Sequence, residues 1–187
     1  MVTELDKNTA LVLIDLQKGI VNYPVATPIG TILENAAKLV DAFHKAGLPV
    51  VLVNVDPSKF TTNNLRKDAP NRAAATFNAE WSEIVPEIKK QAGDVFITKH
   101  TWGAFFETAL DEELKKRNVT GIVLGGVSTS IGVEGTARHA NERGYNITFA
   151  KDAMTDMSAD AHEHSLKNIF PRIGEVDDTD KIIEKLG

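Results

Sequence analysis

The chain has 187 residues, 42% of them hydrophobic, a formal charge of −5 and no cysteine. That length suits one packed domain over residues 1–187, and the charge argues against a general nucleic-acid binder, because neutralising phosphates needs clustered Lys and Arg. Without cysteine there are no disulfides, no thiolate zinc sites and no cysteine nucleophile in this chain.

The opening stretch "MVTELDKNTALVLIDL" has no basic segment before its short apolar run. No run approaches the ~18 apolar residues of a membrane span. A soluble, cytoplasmic protein with no membrane partner is expected. "TALVLID" (9–15) reads as a first buried strand ending in Asp15, and residues 31–46 carry helical spacing closed by Gly47. "PVVLVNV" (49–55) is a second strand, followed by Asp56. Residues 57–81 are too polar and too rich in small residues for a core element, and a loop this long is expected to be a lid or binding loop. "DVFIT" (94–98) reads as a third buried strand, followed by Lys99 and then Trp102, Phe105 and Phe106. Helical spacing returns at 107–117, with Thr108 and Asp111 placed as a capping box. "VTGIVLGG" (119–126) is a fourth strand that turns through 125–132 into helical spacing over 131–143, closed by Gly144. "YNITFA" (145–150) is a fifth strand, and 158–170 is helical with Ser158 as N-cap. "GEV" (174–176) is a candidate sixth strand, and 178–186 closes the chain. Strands alternating with helices imply right-handed crossovers and a mainly parallel sheet with helices on both faces.

In such sheets ligands bind beyond the carboxyl ends of the strands. Those ends carry Asp15, Asp56, Lys99 and the 125–132 turn. Asp15 reads either as a turn or helix cap or as a working carboxylate. Lys99 reads either as a surface lysine burying only its stem or as the charged tip of an aromatic pocket wall. The glycine-rich turn offers backbone: if a helix begins near Ser130, its first N–H groups, that of Gly132 included, face an anion or a developing oxyanion. "GGVSTSIG" is not a G-x-G-x-x-G, and "STSIG" lacks the first glycine of a G-x-S-x-G elbow. The five histidines are too scattered for a metal site: His162 and His164 diverge on a helix, His44 and His139 are expected to face water, and His100 has no second ligand nearby. No metal and no cofactor are expected.

Taken together, "ALVLIDLQKGI", "ITKHTWGAFFETALDEEL", "GIVLGGVSTSIGVEGTARHANERGYNITFAKDAMTD" and "AHEHSLKNIFPRIGEV" resemble the isochorismatase-like hydrolases over nearly the whole chain. The resemblance implies a three-layer α/β/α, Rossmann-like fold around a six-stranded mainly parallel sheet, assembled as a homo-oligomeric dimer or tetramer. It also implies an Asp–Lys–Cys triad. Asp15 and Lys99 match the first two positions, and Gly132 falls where the cysteine is expected. Val127–Ser128 matches the family's cis peptide, whose N–H groups help form an oxyanion hole with that of residue 132. The nicotinamidase metal pattern, an Asp with a His two residues later, falls on Asp56 and Ser58 and is not matched.

The glycine at 132 leaves three readings. In the first, the chain is a thiol-independent hydrolase of a small molecule. Family members acting on isochorismate also lack the cysteine, and their vinyl-ether hydrolysis needs an acid but no acyl intermediate. Asp15 is then the general acid/base and Lys99 the group that orients it. Arg66 is the candidate carboxylate clamp, with Trp81, Trp102 and Phe105 as pocket walls and Asp56 at the rim. Asp56 stands where isochorismatases carry a Gln, and its charge disfavours a dianionic substrate. In the second reading Ser128, Thr129 or Ser130 is the nucleophile, with no histidine-backed relay evident in the sequence. In the third the chain is a degenerate member serving as a small-molecule binding or assembly module.

Overall fold

In a computed structural model, which describes residues 1–60, 65, 66, 68 and 78–186, the six apolar segments are β1 (Thr9–Ile14), β2 (Val50–Val55), β3 (Val95–Lys99), β4 (Gly121–Val127), β5 (Asn146–Thr155) and β6 (Glu175–Asp177). They pair in parallel in the order β3-β2-β1-β4-β5-β6. Side chains alternate across a pleated strand, so a strand covered on both faces can be apolar throughout. Ala10, Val12 and Ile14 of β1 enter one core with Val51, Val53, Ile122 and Leu124. Leu11 and Leu13 enter the other with Val50, Leu52 and Val123.

Helices cover both faces. Helix α1 (Ile29–Lys45) lays Ile32, Leu33, Ala36, Leu39, Val40 and Phe43 on the second core, where α5 (Thr179–Ile183) adds Ile182. On the opposite face α2 (Leu110–Lys116) contributes Leu110 and Leu114, and α3 (Glu134–Glu142) contributes Ala137 and Ala140. A short α4 (Ala159–His164) runs through a π-helical stretch, Ser165–Ile169, to the buried Phe170, which stacks on Phe149. The result is the three-layer α/β/α arrangement.

Several expectations are revised. The third strand is not buried on both faces: β3 is an edge strand, Phe96 is 53% exposed, and only Val95, Ile97 and Lys99 face inward. The fifth strand runs on to Thr155. Its register shifts opposite Leu124 and Gly126, and Lys151 and Asp152 interrupt the apolar pattern from which strands are read. The capping box at Thr108 does not form. Helix α2 starts at Leu110, whose N–H reaches Thr108 Oγ1, while Asp111 instead accepts from the Tyr145 hydroxyl and pairs with Lys115. The expected turn elements at Ser158, Gly47 and Gly144 are present: the Ser158 hydroxyl takes the Ala161 N–H, and both glycines have positive φ.

Most of the 57–81 loop lies outside the described residues. Within it, Pro57–Lys59 forms a 3-10 turn, Ala79–Ser82 forms another, and Leu65, Arg66 and Asp68 are exposed.

Candidate active site

Period-two alternation puts Lys99, the last residue of β3, on the same face as Ile97 and Val95. Asp15 directly follows β1 with a φ of 54°, a left-handed conformation that Asp tolerates better than most side chains. Strand β2 lies between them, so neighbouring-strand spacing separates their backbones by roughly 10 Å. Only a long side chain closes that gap. Lys99 Nζ reaches Asp15 Oδ2 at 2.8 Å and also donates to the Thr101 carbonyl at 3.1 Å. Lys99 is 2% exposed and Asp15 5%. Lys99 therefore does not snorkel, and the second oxygen of Asp15, Oδ1, is buried with no hydrogen-bond partner among the described residues. Burial pushes the Asp15 carboxyl up to about 6, against the opposing pull of the Lys99 charge and hydrogen bond.

The turn after β4 adjoins Asp15. Gly126, with a φ of 121°, lets β4 approach the Ile14 backbone so closely that any Cβ would overlap it. The Val127–Ser128 peptide is cis. Thr129–Val133 then winds as a π-helical turn, not as the start of an α-helix near Ser130, and α3 follows from Glu134. A Cβ on Gly132 would stand 2.9 Å from Ile14 Cγ2, 3.4 Å from Asp15 Oδ2 and 3.5 Å from the Val127 carbonyl. Gly132 thus adjoins the Asp15 carboxylate.

The turn's N–H groups are less open than a helix start would leave them. Those of Ile131 and Val133 donate to the Ser128 carbonyl, and that of Ser130 donates to Asp156 Oδ2.

The apolar pattern of the fifth strand stops at residue 150, whereas β5 runs to Thr155, so Asp156 is a strand-end residue that the pattern does not mark. It is 3% exposed and accepts the Ser130 N–H and hydroxyl on Oδ2, both at 2.8 Å, and the Ser158 N–H on Oδ1. A histidine-backed hydroxyl is also present, contrary to expectation: Thr129 Oγ1 lies 2.8 Å from His162 Nδ1. Burial pushes His162 down, against the pull of Glu163 and Asp156, and favours a neutral ring.

Of the remaining candidates, Asp56 is joined to the pair through the backbone, its N–H donating to the Lys99 carbonyl at 3.0 Å. Asp56 caps the Pro57–Lys59 turn, accepting the Ser58 N–H at 3.0 Å and hydroxyl at 2.6 Å, and that hydroxyl holds its carboxyl below the usual range. His100 Nδ1 meets the Asp56 carbonyl. Trp102 is 58% exposed. Phe105 is buried in the core, beside Tyr145 and beneath the Arg143 guanidinium. Trp81 is half-buried, and its carbonyl accepts from the Gln17 side chain and the Gly19 N–H. Arg66 is exposed.

Two histidines expected at the surface are not free in water. His44 Nε2 meets Asp94 at 2.7 Å, and His139 Nδ1 is buried against Gly103. Among the described residues no group of three or more His, Cys, Asp or Glu could hold a metal, and no helix is long and apolar enough to cross a membrane.

Cavities also open away from the Asp15–Lys99 pair. One of about 300 Å³ is at the amino-terminal strand ends, lined by Asp6, Gly121, Asn146 and Glu175 among others. One of about 630 Å³ opens beside Lys18, Tyr23 and Trp81.

The Isochorismatase domain family matches residues 9–181. The isochorismatase family protein YwoC of Bacillus subtilis strain 168 is 44% identical over 186 residues, covering 96% of this chain and 95% of YwoC. The isochorismatase family protein YecD of Escherichia coli O157:H7 is 38% identical over 183 residues, covering 96% and 97%. The solved structure of an isochorismatase family protein from Burkholderia thailandensis matches with a TM-score of 0.93 and 38% identity, covering 100% of this chain and 99% of that one.

Proposed function

Starting from a chain that belongs to the isochorismatase family and is a hydrolase without a cysteine to depend on, we propose that it hydrolyses a small metabolite with Asp15 as general acid/base. One observation carries this reading: a buried carboxyl raised to about 6 stands beside Lys99 and adjoins Gly132. A carboxyl poised there is partly protonated near neutral pH and can both give and take a proton. Gly132, which the sequence resemblance sets at the position of the family's cysteine, offers no side chain and so no nucleophile there.

For a vinyl ether the steps balance without a covalent enzyme intermediate. Asp15 delivers its proton to the terminal alkene carbon. Water adds to the resulting oxocarbenium carbon and returns a proton to Asp15. The hemiketal then collapses to a ketone and an alcohol. Lys99 orients the carboxyl throughout. The backbone of Val127, Ser128 and Gly132 borders the reacting group, and Arg66, Trp81 and Trp102 belong to the same proposal as substrate contacts, whereas Phe105, buried in the core against Tyr145, does not. Asp56, held ionised by Ser58, favours an uncharged or singly charged substrate over a dianion such as isochorismate.

The near-complete covering of Asp15 and Lys99 favours one competing reading, a degenerate member kept as a small-molecule binding or assembly module. The test offers purified protein vinyl ethers, isochorismate included, with pyruvate followed by a coupled dehydrogenase, and small amides with ammonia release followed. Asp15→Asn and Lys99→Met run alongside. Turnover by the wild type that falls about a hundredfold or more in folded Asp15→Asn supports the acid role. Equal rates refute it. A wild type inert toward every compound, yet raised in melting temperature by one of them, supports the binding module.

A further inference from the structure

Resting on the reading of Asp15 as the acid, we infer that Asp156 is a positioning residue that fixes the Thr129–Val133 turn, and with it Gly132, against the Asp15 carboxyl. A buried carboxylate is costly unless its acceptor sites are filled. Those of Asp156 are filled by the groups that define the turn: Ser130 gives it both N–H and hydroxyl, and Ser158, the N-cap of α4, gives its N–H to the other oxygen. The same stretch holds the segment that follows Asp15. The Ala26 N–H donates to the Asp156 carbonyl, and the Thr27 N–H to the Thr155 hydroxyl. Residues 155–156 therefore tie together the chain after β1, the turn after β4 and the start of α4. The Thr129–His162 contact adds a second tie between the turn and α4.

Asp156 acts through the turn. Its hydrogen bonds go to Ser130 and Ser158, whereas the charged group in contact with Asp15 is Lys99. The turn brings Gly132 over Asp15, and burial is the largest influence on that carboxyl. Loosening the turn admits water and relaxes the acid toward its ordinary range.

The test follows the titration of Asp15 by NMR in protein labelled with 13C at the aspartate carboxyl carbons, assigned with Asp15→Asn. Wild type is compared with Asp156→Ala and Asp156→Asn, each verified as folded by circular dichroism. Asn keeps the shape and an acceptor for Ser130 while deleting the charge, so it separates holding the turn from a direct charge effect. The expected result is a wild-type midpoint near 6, a fall of about one pH unit or more in Asp156→Ala, and a much smaller fall in Asp156→Asn. An unmoved midpoint in Asp156→Ala, or equal falls in both variants, overturns the inference. If Asp156→Ala does not fold, Ser130→Ala in the Asp156→Asn background removes the hydroxyl tie, and an unchanged midpoint there overturns it too. This readout needs no substrate, so a failure of the acid role in the turnover assay remains distinguishable from a failure of the positioning role.

Discussion

Lys99 Nζ and Asp15 Oδ2 are 2.8 Å apart across the end of an intervening strand, with side-chain exposures of 3% and 8%. Removing one partner of a buried pair leaves the other charge uncompensated, which costs roughly 3–5 kcal/mol. Lys99→Met is expected to lose stability on that scale and to raise the Asp15 midpoint above its wild-type value, since Lys99 is what lowers it. Urea unfolding and carboxyl NMR check the two halves. A variant as stable as wild type with an unmoved midpoint contradicts the pairing.

Asp15 also gives stability a pH dependence of defined sign. Its folded-state value, about 6, lies above the unfolded value of 3.8, so between these the native state binds more protons than the unfolded one. The contribution is fully present below the unfolded value and is lost as pH rises through the folded one, by on the order of 3 kcal/mol. The stability difference between wild type and Asp15→Asn should therefore shift in favour of Asn from pH 4 to 7. Unfolding curves at intervals across that range test it, and a flat difference rules it out.

Gly132 has little spare room. Its missing Cβ would stand 2.9 Å from Ile14 Cγ2, a branched methyl held in the core, so Gly132→Ala is expected to cost about 1–3 kcal/mol by overpacking. With Ile14→Ala the two losses should be less than additive, because the methyl that collides is gone. Strict additivity in a double-mutant cycle would remove Ile14 as the obstacle. Gly132→Cys meets the same contact, so restoring the thiol alone should not yield an efficient amidase, as ammonia release from small amides will show.

Gln17 is fully buried and holds the end of β2 by accepting the Val55 N–H and donating to the Val55 and Trp81 carbonyls. Gln17→Ala strands these groups, at about 1–3 kcal/mol for each one left unpaired. Its melting temperature should drop by several degrees, and Gln17→Glu should lose at least as much, because the oxygen that replaces the amide nitrogen faces the Val55 and Trp81 carbonyls in a buried site. A Gln17→Glu variant as stable as wild type counts against the two donated hydrogen bonds as the cause.

Much of this architecture was legible because its causes are local. Six short β-branched runs alternating with amphipathic stretches specify strands and helices, and Gly47, Gly144 and Ser158 mark ends by their own backbone preferences. Legibility failed where the pattern was interrupted or the burial one-sided. Lys151 and Asp152 hid the second half of β5 and with it Asp156, and the apolar Phe96 disguised β3 as a strand covered on both faces. The Thr129–His162 contact joins residues 33 apart, and no local spacing encodes it.

The sequence by itself determined the chemical inventory: a parallel α/β chain with no thiol, an aspartate after the first strand, a lysine at the end of the third and a glycine in the turn after the fourth. Periodicity records which face of an element is buried, but not which elements are neighbours. Only the tertiary structure decided that β1 and β3 flank β2, that Lys99 spans the gap to Asp15, and that the turn carrying Gly132 adjoins the Asp15 carboxylate. Strand order is fixed by the packing of helices on both faces of the whole sheet. The burial that raises Asp15 arises from that packing and belongs to no single segment.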